Sequence, residues 1–270
     1  MLVNKSSKLL MGILNVTPDS FSDGGRYLKP SWAVSQAWKM AEEGADLIDI
    51  GGESSRPGAE PVDQSVEIER IIPVIKTLVA GGFSLPISVD SYKPEVVGPA
   101  LDCGAGMVND ITALRNGPEL AALAVRYKVP LIIMHMRGIP RNMQQSLSPE
   151  SSLVEEILEF FKEAAAKAEA AGLEDIIIDP GIGFGKTLRQ NLGILRDLDR
   201  FEVLGYPLLI GVSRKSFIGT VLDLPVTQRD VGTMATVSQA FLKGANVFRV
   251  HNVKMARQTL DMLKAVNYSS

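Results

Sequence analysis

The sequence predicts a TIM-type (β/α)8 barrel, and three observations carry that prediction. Eight short apolar runs rich in Ile, Val and Leu recur along the 270 residues. Each is short enough for a strand and too continuous for a half-exposed one, as strands of a buried parallel sheet are. Helix-like segments separate the runs, and most runs end in polar side chains, which in a closed barrel meet on the C-terminal rim. About 250 residues is usual for that architecture. A doubly wound open sheet is the alternative, because local pattern does not reveal closure, and the count of eight favours the barrel. The expectation is one barrel domain over 1–270.

In order, the runs are "LLMGILN" to Asn15, "DLIDIGGE" to Glu53, "PISVD" to Asp90 and "GMVND" to Asp110. "PLIIMH" to His135, "DIIIDPG" from Asp175 to Gly181, "PLLIGVSRK" to Lys215 and "NVFRVHN" to Asn252 follow. After the first run, "PSWAVSQAWKMAEEGA" gathers Ala33, Val34, Ala37, Trp38 and Ala41 on one side and closes on Gly44, suited to C′. "VDQSVEIERIIPVIKTLVAGG" opens with Asp63 as an N-cap and stops at Gly81-Gly82. The longest helix-like segment runs roughly from Pro149 to Ala171. Strand and helix alternate to the end with no linker, low-complexity tract or solenoid repeat.

Bulk properties narrow the function. A net charge of -3 argues against nucleic-acid or membrane-surface binding that depends on overall charge. The single cysteine, Cys103, forms no internal disulfide and suits a reducing compartment. No run of some 18 apolar residues occurs, and the N-terminus lacks a signal peptide's form, so a cytoplasmic protein is expected.

The polar groups at the strand ends form a set: Asn15, Arg56, Asp90, Asn109, Asp179, Lys215, Arg249 and His251. Singly, each reads as a cap or turn former. Asp90, Asn109 and Asp179 sit inside or at the last residue of apolar runs and should be partly buried, where an unpaired charge is costly. The set divides by sign. Arg56, Lys215, Arg249 and His251 suit phosphate-like oxygens, while Asp90, Asn109 and Asp179 offer acceptors and donors to the edge of a nitrogen heterocycle. Such a site would handle a heterocycle joined to a phosphate or pyrophosphate leaving group.

Three features receive plainer readings. "PGIGFGKT", Pro180 to Thr187, looks like a nucleotide phosphate loop, but G-x-x-x-x-G-K-[ST] requires Gly where Pro180 stands. It reads instead as a flexible strand-to-helix loop carrying Phe184 to a ligand. His135 reads as a hydrogen-bonded structural residue with no zinc-ligand spacing around it, and Cys103 has no nearby base to make it a nucleophile.

The motifs "GILNVTPDSFSDGG", "IDIGGESSRPGAEPV", "ISVDSYKPEV", "MVNDITAL", "IIIDPGIGFGKT", "LIGVSRKSFIG" and "FRVHNVK" together resemble the dihydropteroate synthase family, in that order and over nearly the whole chain. The resemblance implies a pterin-binding TIM barrel, a homodimer, and Mg²⁺ acting with a pyrophosphate. It implies joining of 6-hydroxymethyl-7,8-dihydropterin pyrophosphate to p-aminobenzoate, with pyrophosphate released. Asp90, Asn109, Asp179 and Lys215 would hold the pterin edge and Arg249 its face. Asn15, Arg249 and His251 would receive pyrophosphate, with Asn15 beside Mg²⁺. Phe21, Ser55, Arg56, Pro57, Phe184 and Ser216 would form the p-aminobenzoate pocket. Asp23 would meet Arg56 when a first loop hinged at Gly24-Gly25 closes.

Against the family pattern, Ser55 and Ser91 stand where Thr is common, and Asn252 where Asp is frequent. The segment before the first strand is short, which would reduce the cap under the barrel. A methyltetrahydrofolate:corrinoid-type methyltransferase shares the pterin carboxylates but does not need the "SFSDGG" and "SSRPG" loops. A non-catalytic pterin-binding homologue would dispense with Lys215, Arg249 or those loops, and this chain retains them.

Overall fold

A computed structural model describes residues 3–17, 30–56, 58–139, 141, 143 and 153–268. Phe21, Asp23, Gly24, Gly25 and Pro57 therefore lie outside the described residues, as does the start of the helix expected from Pro149.

Eight parallel strands form the sheet: β1 (Leu9–Asn15), β2 (Leu47–Gly51), β3 (Ile87–Asp90), β4 (Met107–Asp110), β5 (Leu131–Met134), β6 (Ile176–Asp179), β7 (Leu209–Gly211) and β8 (Val247–Val250). Their order, β6-β5-β4-β3-β2-β1-β8-β7, is that of a ring opened at one seam. The seam is bridged between Ile178 and Leu208, with Ile178 N–H donating to the Pro207 carbonyl at 3.0 Å. The barrel is the architecture that eight buried runs predict, and the open sheet is set aside.

Helices α1 (Pro30–Glu42), α2 (Gln64–Ala80), α3 (Pro94–Asp102), α4 (Glu119–Tyr127), α5 (Leu153–Ala170), α6 (Leu188–Arg196), α7 (Ser216–Leu222), α8 (Asp230–Leu242) and α9 (Val253–Tyr268) cover the outside. Asp63 caps α2, its carboxylate accepting from Ser65 N–H at 2.8 Å. Gly44 closes the turn after α1 at φ 95, a conformation Gly adopts without strain. Two expectations shift. Trp38 leaves the buried side of α1 that Ala33 and Ala37 form and instead packs edge-on against Phe83, ring centroids 5.1 Å apart. The run to Lys215 holds a strand only as far as Gly211; its last residues turn back over the rim, where Arg214 takes φ 57.

Alternation along the strands sorts the interior into layers. Met11, Leu47, Met107, Ile132, Ile177, Leu209 and Val247 point inward near the N-terminal end and form one apolar cluster. Val3 joins that cluster at 2% exposure, so the short N-terminal segment still closes the floor. Buried Asn246 fastens it there: its Nδ2 donates to the Lys5 carbonyl at 2.7 Å, and its Oδ1 accepts from Leu208 N–H.

Candidate active site

Two residues further along the strands, the inward positions change character. Leu47 is followed by Asp49, Met107 by Asn109, Ile177 by Asp179, Leu209 by Gly211 and Val247 by Arg249. Asp90 ends β3 beside Asn109 in the register. A polar layer thus lies directly on an apolar floor.

At its centre, Arg249 spans two carboxylates. Its Nε donates to Asp49 Oδ2 at 2.6 Å and an Nη to Asp90 Oδ2 at 2.6 Å. Asn109 donates from Nδ2 to the same Asp49 oxygen at 3.0 Å. Asp49 is fully buried, and its other oxygen has no hydrogen-bond partner. Burial, and then repulsion from Asp49, push Asp90 up to about 7 against the pull of Arg249. Burial opposes the charge on Arg249, but Asp49 and Asp90 outweigh it and hold the guanidinium protonated. The division by sign is therefore not a division in space: the chief cation is interleaved with the acceptors.

Across the barrel, Asp179 accepts from Gly181 N–H at 2.7 Å. Burial raises its pKa, and Lys215 beside it lowers it. Burial brings Lys215 down to about 8, partly offset by Asp179. The Lys215 ammonium bonds the Ile182 carbonyl and lies over the Phe184 ring, 4.6 Å from its centroid. Gly211 keeps the space between these groups open. A Cβ there would sit 3.9 Å from both Asp179 Oδ2 and Lys215 Nζ and 4.0 Å from Arg249 Cβ. Ile111, Met134, Met136 and Met143 form an apolar cluster on the same side, joined by Tyr92 and Phe184. Charged groups converging on an open point beside an apolar wall suit a flat polar heterocycle.

The other expected residues spread around the rim. Asn15 is half-buried at the end of β1, paired in register with Gly51. Ser55 is half-buried, whereas Arg56 and Ser216 are exposed. His251 follows β8, its ring Nδ1 2.9 Å from Ser213 Oγ. Burial and then Arg249 hold its pKa down to about 3, so this imidazole is neutral near pH 7 and leaves the cationic group in which the sequence puts it. Asn252, the next residue, donates to Asp230 Oδ2 at 2.8 Å, and Asp230 also accepts a bidentate pair from Arg214. An Asp at 252 would face Asp230 with like charge.

The "PGIGFGKT" loop is not free in its conformation. Lys186 is 2% exposed and donates to the carbonyls of His135, Gly181 and Phe184 at 3.1, 2.9 and 3.1 Å. Asn191 accepts from Gly183 N–H, and Thr187 with Gln190 forms a capping box at the start of α6. Gly181 has φ 65, and a Cβ there would lie 1.9 Å from the His135 carbonyl oxygen. The lysine that mimics a phosphate loop is a staple for backbone carbonyls. His135 is a structural residue whose hydrogen bonds are made by its backbone: its N–H donates to the Asp179 carbonyl at 2.9 Å and its carbonyl accepts from Lys186. Its Nδ1 is buried without a partner and its ring meets Phe160 edge-on at 4.9 Å.

A second buried cluster supports the loop that carries Ser55 and Arg56. Lys93 bonds Glu53, the Val62 carbonyl at 2.6 Å and Glu67 at 2.8 Å, and Tyr92 donates to Glu53 at 2.9 Å. Asp49, Lys93, Glu67 and Lys186 are absent from the strand-end set. Asp49 and Glu67 had a signal: a carboxylate inside the apolar run "LIDIG", and one in register with Ile71 and Ile75 on the buried side of α2.

For Mg²⁺, the described residues offer no group of three or more His, Cys, Asp or Glu. Asn15 supplies one hard oxygen, which fits an ion that takes its other ligands from phosphate and water. At the opposite end, a cavity of about 330 Å³ is lined by Val3, Lys5, Asp175, Tyr206 and their neighbours, and contains none of the buried convergent groups.

Residues 11–251 match the family model for the pterin binding enzymes. The chain is 46% identical over 260 residues to the dihydropteroate synthase of Synechocystis, covering 95% of this chain and 89% of that protein. Among solved structures, the Yersinia pestis dihydropteroate synthase in a sulfonamide drug complex superposes with a TM-score of 0.92 at 39% identity, covering 99% and 97% of the two chains. The Xanthomonas albilineans dihydropteroate synthase in complex with 7,8-dihydropteroate gives 0.88 at 40% identity, covering 99% and 97%.

Proposed function

The chain belongs to the dihydropteroate synthase family of pterin-binding enzymes, and from that premise we propose that it condenses 6-hydroxymethyl-7,8-dihydropterin pyrophosphate with p-aminobenzoate to give 7,8-dihydropteroate and pyrophosphate. The observation that carries the reading is the meeting of Asp179, Lys215 and Arg249 around the space that Gly211 leaves open. A methyltransferase or a non-catalytic homologue is not favoured beside relatives that are themselves dihydropteroate synthases.

The pterin edge lies against Asp179, Asn109, Asp90 and Lys215: carboxylate oxygens accept from its ring N–H and amino groups, and the ammonium donates to a ring acceptor. Arg249, held by Asp49 and Asp90, packs against the ring face. The reaction is a dissociative displacement. The bond from the exocyclic methylene to the pyrophosphate oxygen breaks, and the electron-rich pterin spreads the positive charge. The arylamine nitrogen then attacks the methylene and loses a proton. No protein nucleophile is needed. Buried carboxylates stabilise the cation, and the Ile111, Met134, Met136 and Phe184 wall excludes competing water.

Asn15, Arg249 and His251 receive the pyrophosphate. Asn15 would hold Mg²⁺ beside the pyrophosphate, where the ion would supply charge neutralisation to the leaving group. Ser55, Arg56, Phe184 and Ser216, with Phe21 and Pro57 beyond the described residues, take p-aminobenzoate, and Asp23 pairs with Arg56 on closure. Sulfonamides compete there, a reading supported by the Yersinia pestis drug complex. The enzyme works in the cytoplasm as a homodimer. Among the described residues no helix is long and apolar enough to cross a membrane. Leu188 and Leu192 of α6, Val221 and Leu222 of α7 and Val231 of α8 are exposed apolar residues suited to a second copy.

The test follows pyrophosphate release from the pterin pyrophosphate with and without p-aminobenzoate, in Mg²⁺. Release that depends on p-aminobenzoate and yields dihydropteroate is expected. Well-folded protein with no turnover would overturn the assignment.

A further inference from the structure

The ring of His251 and the hydroxyl of Ser213 meet in a way that the pterin-binding groups do not require. The His251 backbone N–H donates to Ser213 Oγ at 3.1 Å, and the His251 ring Nδ1 lies 2.9 Å from the same oxygen. A backbone N–H only donates, so Ser213 Oγ is already an acceptor in this pair. Its own proton then has a single partner among the described residues, Nδ1. Were Nδ1 protonated, Oγ would accept two N–H groups and the buried hydroxyl proton would be left without an acceptor. The hydroxyl therefore donates to Nδ1, and the ring proton resides on Nε2.

Both sides of this contact are clamped by one residue. Asp230 takes the bidentate pair from Arg214, next to Ser213, and the Nδ2 donor of Asn252, next to His251. Arg214 N–H is further tied to Thr233 Oγ1 at 3.1 Å. The turn after β7 and the end of β8 are thus held in mutual register. The charges acting on the ring are Arg249, Arg214 and Arg56, which oppose protonation, and Asp230, which favours it. Burial is the largest influence and also keeps the ring neutral.

We propose that Ser213 is a positioning residue that holds His251 in its Nε2–H tautomer, so that the ring gives the departing pyrophosphate a neutral hydrogen-bond donor and does not act as a general acid. This rests on the reading of His251 as a pyrophosphate ligand. Protonating Nδ1 would require the Ser213 hydroxyl to turn away, so the leaving group departs as the anion that Arg249 receives, with no proton from this ring.

The test is nitrogen NMR of protein labelled with ¹⁵N-histidine near neutral pH. The chain has two histidines, and loss of one set of signals in His251→Asn assigns the ring. The expected result is a protonated Nε2 and bare Nδ1 in the native chain and in Ser213→Thr, and a mixture of tautomers in Ser213→Ala. Inhibition by pyrophosphate with Mg²⁺ should weaken roughly five- to tenfold in Ser213→Ala, with affinity for the pterin alone unchanged. A native ring protonated on Nδ1, or an unaltered tautomer in Ser213→Ala, overturns the proposal. Unchanged pyrophosphate inhibition in His251→Asn overturns the ligand reading of His251, separately from the tautomer.

Discussion

The two ends of the barrel interior are built by the same strands two residues apart, yet they obey opposite rules. At the floor, Met11, Leu47, Met107, Ile132, Ile177, Leu209 and Val247 fill the space with apolar volume, and Val3 seals it. One layer above, Asp49, Asn109 and Asp179 carry charge and hydrogen-bonding capacity into almost equal burial, beside the partly buried Arg249. The floor loses stability when volume is removed and has no chemistry to lose. The upper layer is expensive to desolvate, tolerable only because Arg249 pairs with two carboxylates, and it leaves Asp49 Oδ1 and Ser88 Oγ without partners. Groups held short of full satisfaction are what a polar substrate can reward.

Substitutions at the two ends should separate activity from stability. The largest effect is expected for Asp179→Asn, which removes charge-assisted bonds to the pterin. Affinity for the pterin should fall by roughly a hundredfold or more, with thermal melting little changed. Unaltered binding by calorimetry would take Asp179 out of the site. At the floor, Ile132→Ala should cost about 2–5 kcal/mol of folding stability while kcat/KM per folded molecule stays near the native value. Chemical denaturation against titrated active sites reads both, and a matching loss of kcat/KM would break the separation.

Lys93→Met probes the support beneath the upper rim. With Glu53 and Glu67 no longer bridged, the Ser55–Arg56 loop should lose its position and KM for p-aminobenzoate should rise about tenfold. Pterin affinity should not move, and Lys93→Arg should recover part of the loss. A proportional fall in both affinities would make Lys93 a support for the whole rim instead.

The smallest effect is in the pH profile. Asp90 titrates at about 7 and Lys215 at about 8 in the ligand-free protein. An ionised Asp90 and a protonated Lys215 both favour the pterin, so kcat/KM should climb a few-fold through pH 7 and decline above pH 8. Asp90→Asn should flatten the acid limb. The same raised pKa means that the folded state retains a proton which the unfolded chain, at 3.8, has lost. Asp90's contribution to stability is therefore greatest below that value and disappears as pH rises toward 7. Asp90→Asn should remove that slope from the melting curve, and an unchanged slope would locate the titration elsewhere.

Much of this was legible in the chain. Eight buried runs and the helices between them follow from composition and spacing, because a strand covered on both faces must be apolar throughout. The strand-end polar set named Asp90, Asn109, Asp179, Lys215 and Arg249, and all five lie in or beside the upper layer. Asp49 escaped a reading directed at strand ends, although a carboxylate flanked by Leu47, Ile48 and Ile50 is itself a signal of paired burial. Glu67 and Lys93 escaped because their partnership joins α2 to the loop after β3 across 26 positions of chain.

The sequence by itself determined the alternation of strand and helix, the family, and which residue types gather at strand ends. Local periodicity and motif spacing contain that information. Tertiary structure alone decided that Arg249 binds Asp49 and Asp90, that Lys186 staples backbone carbonyls, and that His251 is neutral beside Ser213. Each of those depends on which groups share a small buried volume, and burial and charge pairing are properties of the closed barrel. No stretch of chain possesses them before the strands meet.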